Sequence, residues 1–200
     1  MRLERIALDA EHEIFRGRLP GELHASLRDG FDELWALHPD DYHEIKIHGK
    51  LVKTPRWQQA YGADYHYTGR VNRGRPVPPV LDPVHAWTRR TIDERLNGVL
   101  VNWYDADHEH YIGKHRDSTI DMIEGTPIVT VSLGAARTFR LRPWKKKGQR
   151  DLLAEHGTVF VMPFATNLAW THEVPHFASD RGRRISITFR AFALGNRGAS

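Results

Sequence analysis

The stretch "RRISITFR", residues 183–190, alternates strictly between polar and apolar side chains. In an extended chain Ile185, Ile187 and Phe189 fall on one face, and the polar series that begins with Arg184 falls on the other. This period of two predicts a β-strand with one buried face. Two interpretations of the polar face stay open: its arginines are exposed to water, or they line a cavity and require an anion.

Other segments of the second half of the chain also have the composition of strands. They are rich in β-branched and aromatic residues, are separated by Gly, Pro or charged residues, and cover 99–104, 127–133, 138–142 and 158–163. In the first half, apolar residues from Leu23 to Leu34 recur at helical spacing, and Asp82-Pro83 predicts the start of a second helix that runs to about Asn97. The sequence therefore predicts a β-rich α+β protein, with a sandwich or barrel and helices packed outside.

The composition fits one compact domain. The chain has 200 residues, of which 40% are hydrophobic, and this suffices for one core with little room for a second. It contains no cysteine, which excludes disulfides, thiolate metal ligands and a cysteine nucleophile. No apolar run has the length of a secretory signal or a membrane span. We expect a soluble, cytoplasmic monomer that does not bind membranes.

The net charge of +4 is unevenly distributed. Residues 46–75 contain seven Lys or Arg and a single acid, Asp64, and a second basic stretch lies at residues 137–150. Aromatic residues such as Trp57 and Trp144 are interleaved with these cations. The pattern favours a nucleic-acid surface, where cations meet phosphates and rings stack on bases, although a solvated loop explains lysine runs equally well.

Candidate metal ligands occur between the predicted strands. His115 and Asp117 in "GKHRDS" (113–118) are two residues apart, so both side chains point to the same side of an extended segment. His-x-Asp alone is a weak signal, but His172 in "AWTHEVP" (169–175) adds a third ligand. Two imidazoles and one carboxylate are the ligand set of non-haem Fe(II), and zinc with the same ligands remains the alternative.

The polar face of residues 183–190 bears on that choice. A zinc hydrolase has no need of two arginines there, whereas an oxygenase that uses 2-oxoglutarate must hold a dianion whose distal carboxylate needs a cation. Arg184 fits this requirement. Asn102 and Tyr104 share one face of the strand "VLVNWY" (99–104) and are further candidate hydrogen-bond donors to the same carboxylates.

Taken together, these motifs resemble the AlkB-like Fe(II)- and 2-oxoglutarate-dependent dioxygenases, in particular the group that repairs alkylated DNA. The resemblance runs from about His48 to Arg190, and residues 1–45 match no motif of the family. The quoted segments occur in the family's order: "HGKLVKTPRWQQAYG", "YHYTG", "VNWY", "HYIGKHRD", "PIVTVSLGAARTFRLR", "HGTVFVMP", "WTHEVP" and "RISITFR".

The resemblance implies a double-stranded β-helix, or jelly roll, over about residues 98–192 of a single domain that spans residues 1–200. It implies a nucleotide-recognition segment at about 46–75, and we expect about 1–45 to be an N-terminal extension with one helix. By the same match, Fe(II) is bound by His115, Asp117 and His172, and 2-oxoglutarate by Asn102, Tyr104, Arg184, Thr188 and Arg190. The residues that match the family's nucleic-acid contacts are Lys50, Tyr65 and Tyr67.

One geometric consideration applies to the two arginines. Six residues of strand span ~20 Å, which exceeds the length of a five-carbon diacid. Arg184 and Arg190 therefore cannot both lie beside one carboxylate unless the strand bends or the side chains lean inward.

The activity that the resemblance implies is oxidative dealkylation of N-alkylated bases in nucleic acid, and DNA is favoured over RNA as the substrate. It consumes 2-oxoglutarate and O2 and releases succinate, CO2 and an aldehyde. Two alternatives stay open: a 2-oxoglutarate-dependent hydroxylase of a protein or small molecule, and a non-catalytic nucleic-acid-binding module. The basic, aromatic segment 46–75 favours the nucleic-acid substrate over a small metabolite.

The sequence departs from the family just after the His-x-Asp aspartate. Many relatives carry acids there, in a region thought to contact the exocyclic amino group of the base, whereas this chain has Ser118 and Thr119. A hydroxyl adds no negative charge that would favour a cationic base. We therefore expect neutral lesions such as 1-methylguanine or etheno adducts to be accepted comparatively well, unless Asp121 or Glu124 reaches back to supply the carboxylate.

Overall fold

A seven-stranded antiparallel sheet forms one side of the molecule. The computed structural model describes residues 1–47, 49–67 and 70–193. The order across this sheet is β1 (Glu4–Ala7), β2 (Glu13–Arg18), β13 (Thr158–Met162), β10 (Ile128–Gly134), β15 (Arg183–Arg190), β8 (Gly98–Asp105) and β5 (Trp57–Tyr61). The strand predicted over residues 183–190 thus lies in the interior of the large sheet, between β10 and β8.

A four-stranded antiparallel sheet faces the large one. Its order is β12 (Arg150–Ala154), β11 (Arg137–Pro143), β14 (Trp170–Val174) and β9 (Ile112–His115). Phe139 of the small sheet stacks on Phe160 of the large sheet, with ring centroids 4.8 Å apart. Two short hairpins complete the strands: β3 (Glu44–Ile47) with β4 (Lys50–Lys53), and β6 (Tyr65–Tyr67) with β7 (Arg70–Asn72). The predicted β-rich α+β sandwich is confirmed.

Four α-helices of the described residues pack around the sheets, and the two predicted helices are shorter than expected. The helices are α1 (Gly21–Asp29), α2 (Phe31–Trp35), α3 (Asp82–Thr91) and α4 (Phe164–Ala169). The single helix expected through Leu34 is divided at Gly30, since glycine weakens a helix interior. The helix that begins at Asp82 ends at Thr91 rather than near Asn97, because the Asp93 carboxylate accepts the backbone N–H of Arg95 and closes a local turn.

The N-terminal region is more closely integrated than the sequence suggests. An extension with one helix was expected over residues 1–45, but this region contributes β1 and β2 to the large sheet as well as the helices α1 and α2. Strand β2 pairs with β13 through four residue pairs, and Ile14 is fully buried. The expectation of an extension with one helix is therefore corrected. The sequence did not reveal the two strands, because short strands with charged residues, such as "ERIA", show no clear alternation.

Two apolar clusters lie on the two sides of the large sheet. One packs the helices against the outer face, where Ile185, Ile187 and Phe189 are completely buried. The other fills the space between the two sheets and contains Phe139 and Phe160. The apolar face of β15 therefore points toward the helices, and its polar face points into the sandwich. Within the described part of the chain, no helix is long and apolar enough to cross a membrane.

Candidate metal centre

The three predicted metal ligands meet at one end of the small sheet. His115 ends β9 and is the direct partner of His172 on β14, and Asp117 follows His115 by two residues. The Nε2 atoms of His115 and His172 lie 3.6 and 3.7 Å from Oδ1 of Asp117. All three candidate ligand atoms lie within 4.8 Å of one another. A single ion therefore reaches all three side chains.

Asp117 and His172 are held in protonation states that favour metal binding. Burial raises the pKa of the Asp117 carboxyl, but the Arg190 guanidinium and the two imidazoles outweigh it and bring the pKa well below its usual value. Burial, and then the charge of His115, lowers the pKa of His172 to about 3. An anionic carboxylate and a neutral imidazole are the forms that coordinate divalent ions.

Neighbouring groups fix the orientation of two ligands. The Nδ1–H of His115 donates to the carbonyl of Gly113 at 2.8 Å, which directs Nε2 toward Asp117. Asn167 of α4 accepts the backbone N–H of Asp117 at 2.9 Å and donates to its carbonyl at 3.1 Å. Because Asn167 is completely buried, this pair of bonds holds the backbone of the aspartate rigidly. Nothing in the sequence pattern indicated Asn167.

A pocket extends from the metal ligands along the floor of the large sheet. All five side chains that the family resemblance assigned to 2-oxoglutarate line it, together with the three candidate ligands. The five are Asn102, Tyr104, Arg184, Thr188 and Arg190. Both interpretations of the polar face of β15 were open from the sequence, and the structure selects the cavity.

Arg184 lies in this pocket as a buried cation without a counter-ion. It is 0% exposed, and its Nη2 donates to the hydroxyl of Ser132 at 2.8 Å, while the guanidinium lies 5.0 Å from the ring centre of Tyr104. Its Nε and Nη1 atoms are buried without a hydrogen-bond partner. No carboxylate of the described residues forms an ion pair with Arg184. Burial lowers its pKa, and a buried guanidinium in this state is stabilised by an anion.

Arg190, by contrast, has its counter-ion within the protein. Its Nη2 and Nε donate to Oδ2 of Asp117 at 2.6 and 3.1 Å, and both side chains are buried. Arg184 and Arg190 are six positions apart on the strand, and this separation places the two cations at opposite ends of the pocket. The hydrogen bonds of Arg190 go to Asp117, a candidate metal ligand. Arg184 and Arg190 therefore need not lie beside the same carboxylate, and no bend of the strand is required.

The predicted nucleic-acid contacts are distributed over three places. Tyr65 lines the pocket, and the guanidinium of Arg190 lies 4.6 Å from its ring centre. Lys50 is exposed at the start of β4, outside the pocket. Tyr67 belongs to β6, but its side chain lies outside the described part of the structure.

The residues just after Asp117 do not enter the pocket. Ser118 and Thr119 line a neighbouring groove. Oδ2 of Asp121 lies 3.0 Å from Nδ1 of His66. Neither Asp121 nor the exposed Glu124 lines the pocket, so neither supplies the missing carboxylate there.

The groove beside the metal ligands is basic and aromatic. The Arg116 guanidinium lies 4.3 Å from the ring centre of Trp144, and its Nη1 donates to the carbonyl of Leu168 at 2.7 Å. Trp144 is 41% exposed, and Lys114 also lines the groove. The second basic stretch of the sequence therefore comes next to the candidate metal centre.

Two buried polar residues of the pocket were missed from the sequence, Arg56 and Gln58. Nε of Arg56 donates to Oδ1 of Asn102 at 2.7 Å, and its Nη2 donates to Oε1 of Gln58 at 2.9 Å. The sequence signal that could have found them is their spacing. Arg56 directly precedes β5 and Gln58 lies within it, so two residues of extended chain place both side chains on one face.

Comparison with known proteins is consistent with this geometry. The profile of the 2OG-Fe(II) oxygenase superfamily matches residues 33–190. The chain is 32% identical over 158 residues to "DNA oxidative demethylase ALKBH2" of Mus musculus, a match that covers 74% of this chain and 66% of that protein. It is 30% identical over 161 residues to the Homo sapiens protein of the same name, covering 75% of this chain and 61% of that one.

A third relative and a solved structure extend the comparison. "Alpha-ketoglutarate-dependent dioxygenase alkB homolog 3" of Rattus norvegicus is 30% identical over 157 residues, covering 72% of this chain and 52% of that protein. The matched region thus spans about half to two thirds of these relatives. The structure titled "The structure of OsALKBH1" superposes with a TM-score of 0.59 over 94% of this chain and 99% of that chain, at 13% sequence identity. This likeness confirms the predicted jelly-roll fold.

Proposed function

Because the chain belongs to the 2OG-Fe(II) oxygenase superfamily, as an AlkB-like member, we propose that it removes alkyl groups oxidatively from nitrogen atoms of nucleic-acid bases. One observation carries the proposal: a single pocket has three metal-ligating side chains at one end and the unpaired, buried Arg184 at the other. A zinc hydrolase does not require a buried cation that can bind an anion at the second end of the pocket.

The donor set fits Fe(II). His115, Asp117 and His172 would hold the ion and leave coordination positions open, since they supply only two imidazoles and one carboxylate. When bound, Fe(II) with 2-oxoglutarate and O2 supplies the oxidising power that hydroxylates the alkyl carbon next to nitrogen. Arg190 keeps Asp117 anionic and in place, and Asn167 fixes its backbone.

The opposite end of the pocket fits a carboxylate of 2-oxoglutarate. Arg184 would pair with it through Nε and Nη1, which have no other partner, and Tyr104 and Asn102 flank the site. Thr188 lies on the same face of β15, between Arg184 and Arg190. Burial strengthens this pairing because water competes little inside the sandwich. The chain's own contribution is thus to orient the co-substrate and to exclude water.

Nucleic acid is the substrate class that the surface favours. Relatives carry the name "DNA oxidative demethylase", and the basic segment 46–75 and the groove at Arg116 and Trp144 both border the pocket. Tyr65 would contact the base once that base leaves its stack, and Tyr67 and Lys50 would contribute nearby. We favour DNA over RNA.

The lesion preference follows from the charges around the pocket. Ser118 and Thr119 bring no carboxylate, and Asp121 lies beside His66 instead. A cationic base such as 3-methylcytosine therefore gains little electrostatic stabilisation here. We expect neutral lesions such as 1-methylguanine and etheno adducts to be accepted comparatively well.

A mass-spectrometric screen tests the function. Oligonucleotides that carry single N-alkylated bases are incubated with the protein, Fe(II), 2-oxoglutarate and ascorbate, and loss of alkyl mass is measured together with succinate. Loss of the alkyl group, abolished in His172→Ala, is the expected result. Formation of succinate that is stimulated by a protein or a metabolite, with every oligonucleotide intact, would instead support the second candidate, a hydroxylase of those substrates.

A further inference from the structure

Arg56 is a second buried cation of the pocket without an acidic partner. It is 4% exposed, and none of the carboxylates in the described ranges 1–47, 49–67 and 70–193 forms an ion pair with it. It donates instead to two amide side chains, to Asn102 through Nε and to Gln58 through Nη2. A buried guanidinium that is satisfied by neutral amides serves a purpose other than charge neutralisation.

This arrangement determines how both amides are oriented. A guanidinium has only donors, so the atom that each amide turns toward Arg56 must be its carbonyl oxygen. The NH2 groups of Asn102 and Gln58 are consequently turned away from Arg56. Nε2 of Gln58 is buried and has no hydrogen-bond partner in the described structure, although Gln58 is only 3% exposed. A buried donor without a partner costs free energy, and an acceptor in the pocket would remove that cost.

The sheet register places this donor beside the co-substrate site. Gln58 on β5 is the direct partner of Asn102 on β8, which in turn pairs with Ser186 on β15. Ser186 pairs with Ser132, the residue that accepts a hydrogen bond from Arg184. Directly opposed residues have Cβ atoms about 5 Å apart, so a ligand bound by Asn102 is within reach of Gln58.

From this geometry we infer that Gln58 is a further residue that binds 2-oxoglutarate, and that Arg56 is a positioning residue that turns the amides of Gln58 and Asn102 toward it. The inference rests on the proposed function. With their carbonyl oxygens turned to Arg56, Gln58 and Asn102 present only NH2 donors to the pocket, which matches a ligand whose polar atoms are all oxygen acceptors.

The first test is the affinity for 2-oxoglutarate, measured by calorimetry on the Fe(II)-loaded protein without oxygen or nucleic acid. In Gln58→Leu the dissociation constant should rise about tenfold, the effect of one hydrogen bond to a charged acceptor. The affinity for Fe(II) should not change. Gln59→Leu is the matched control, because Gln59 lies outside the pocket and donates to the carbonyls of Ala60 and Arg73.

The second test separates positioning from mere support of the fold. Arg56→Met should weaken 2-oxoglutarate binding at least as much as Gln58→Leu, and the double variant should bind no more weakly than Arg56→Met alone, because Gln58 already lacks its orientation there. Arg56→Lys should restore part of the affinity, since an ammonium also donates to carbonyl oxygens. Additive losses in the double variant would contradict the positioning role.

Other outcomes overturn the inference or the function separately. If Gln58→Leu leaves the 2-oxoglutarate affinity unchanged but alters relative rates on different alkylated bases, Gln58 contacts the base and the inference is wrong. If the wild-type protein binds no 2-oxoglutarate at all, the proposed function itself fails. If 2-oxoglutarate binds as expected but no oligonucleotide is dealkylated, the inference stands and the nucleic-acid substrate is wrong.

Discussion

The two ends of the pocket treat buried charge in opposite ways. At the metal end, the Asp117 carboxylate and the Arg190 guanidinium are paired at 2.6 Å, so this end is balanced within the protein. At the other end, Arg184 is equally buried but keeps two donor atoms without a partner. One end is thus pre-organised by contacts within the protein, whereas the other presents buried donors that an anionic ligand would satisfy.

The largest effect should come from the metal end. Changing His115, Asp117 or His172 to Ala removes one of three ligands, so Fe(II)-dependent succinate formation should become undetectable. Far-UV circular dichroism of the His115 and His172 variants should change little, because these imidazoles are only partly buried, whereas Asp117→Ala also breaks the buried pair with Arg190. Asp151→Asn, on the exposed ion pair with Arg140, is the control that keeps activity. Full turnover by any of the three variants, or activity with zinc alone, would refute the assignment.

The next prediction compares the two arginines by stability. Arg190→Met leaves Asp117 buried and unpaired, so the free energy of unfolding of the metal-free protein should fall by about 3–5 kcal/mol. Arg184→Met removes a cation that has no counter-ion, so it should not lower the stability. Arg140→Met, at an ion pair whose carboxylate partner Asp151 is 41% exposed, should cost less than about 1 kcal/mol.

Urea denaturation of the three variants measures this order. If Arg184→Met destabilises the protein as strongly as Arg190→Met, the two ends of the pocket do not differ in whether their buried charge is balanced within the protein.

A smaller effect is expected on co-substrate binding. Arg184→Ala leaves the distal carboxylate of 2-oxoglutarate unpaired, which costs about 2 kcal/mol and raises the required 2-oxoglutarate concentration about thirtyfold. The KM for 2-oxoglutarate in succinate assays measures it, and the affinity for Fe(II) serves as the internal control. An unchanged KM would place the anchor elsewhere in the pocket.

The smallest effect concerns the base. Thr119→Glu adds a carboxylate near the pocket but in the neighbouring groove, so the preference for cationic 3-methylcytosine over neutral 1-methylguanine should rise only up to about fivefold. Thr119→Gln is the uncharged control. Rates on matched oligonucleotides measure the ratio. A wild-type protein that already prefers 3-methylcytosine strongly, with no change in Thr119→Glu, would show that these positions do not set the preference.

Part of this site was accessible from the sequence and part was not. The spacing of His115 and Asp117 predicted a shared side, and the structure brings both to His172. Arg56 and Gln58 were missed because their significance depends on Asn102, a residue more than forty positions away that only the register of β5 and β8 brings beside them. Likewise, short charged strands at the N-terminus gave no period, and their place in the sheet comes from pairing with β13.

The amino-acid sequence by itself determined the strand at residues 183–190, its two faces and the order of the motifs, because alternation and spacing are local properties that one segment carries within itself. The tertiary structure alone decided which buried charges are balanced. Periodicity specifies the face on which Arg184 and Arg190 lie, but not which strand or loop stands opposite. That depends on cross-strand register and on Asp117, which lies more than seventy residues away from Arg190 along the chain. In this way two arginines of one strand face acquire different roles.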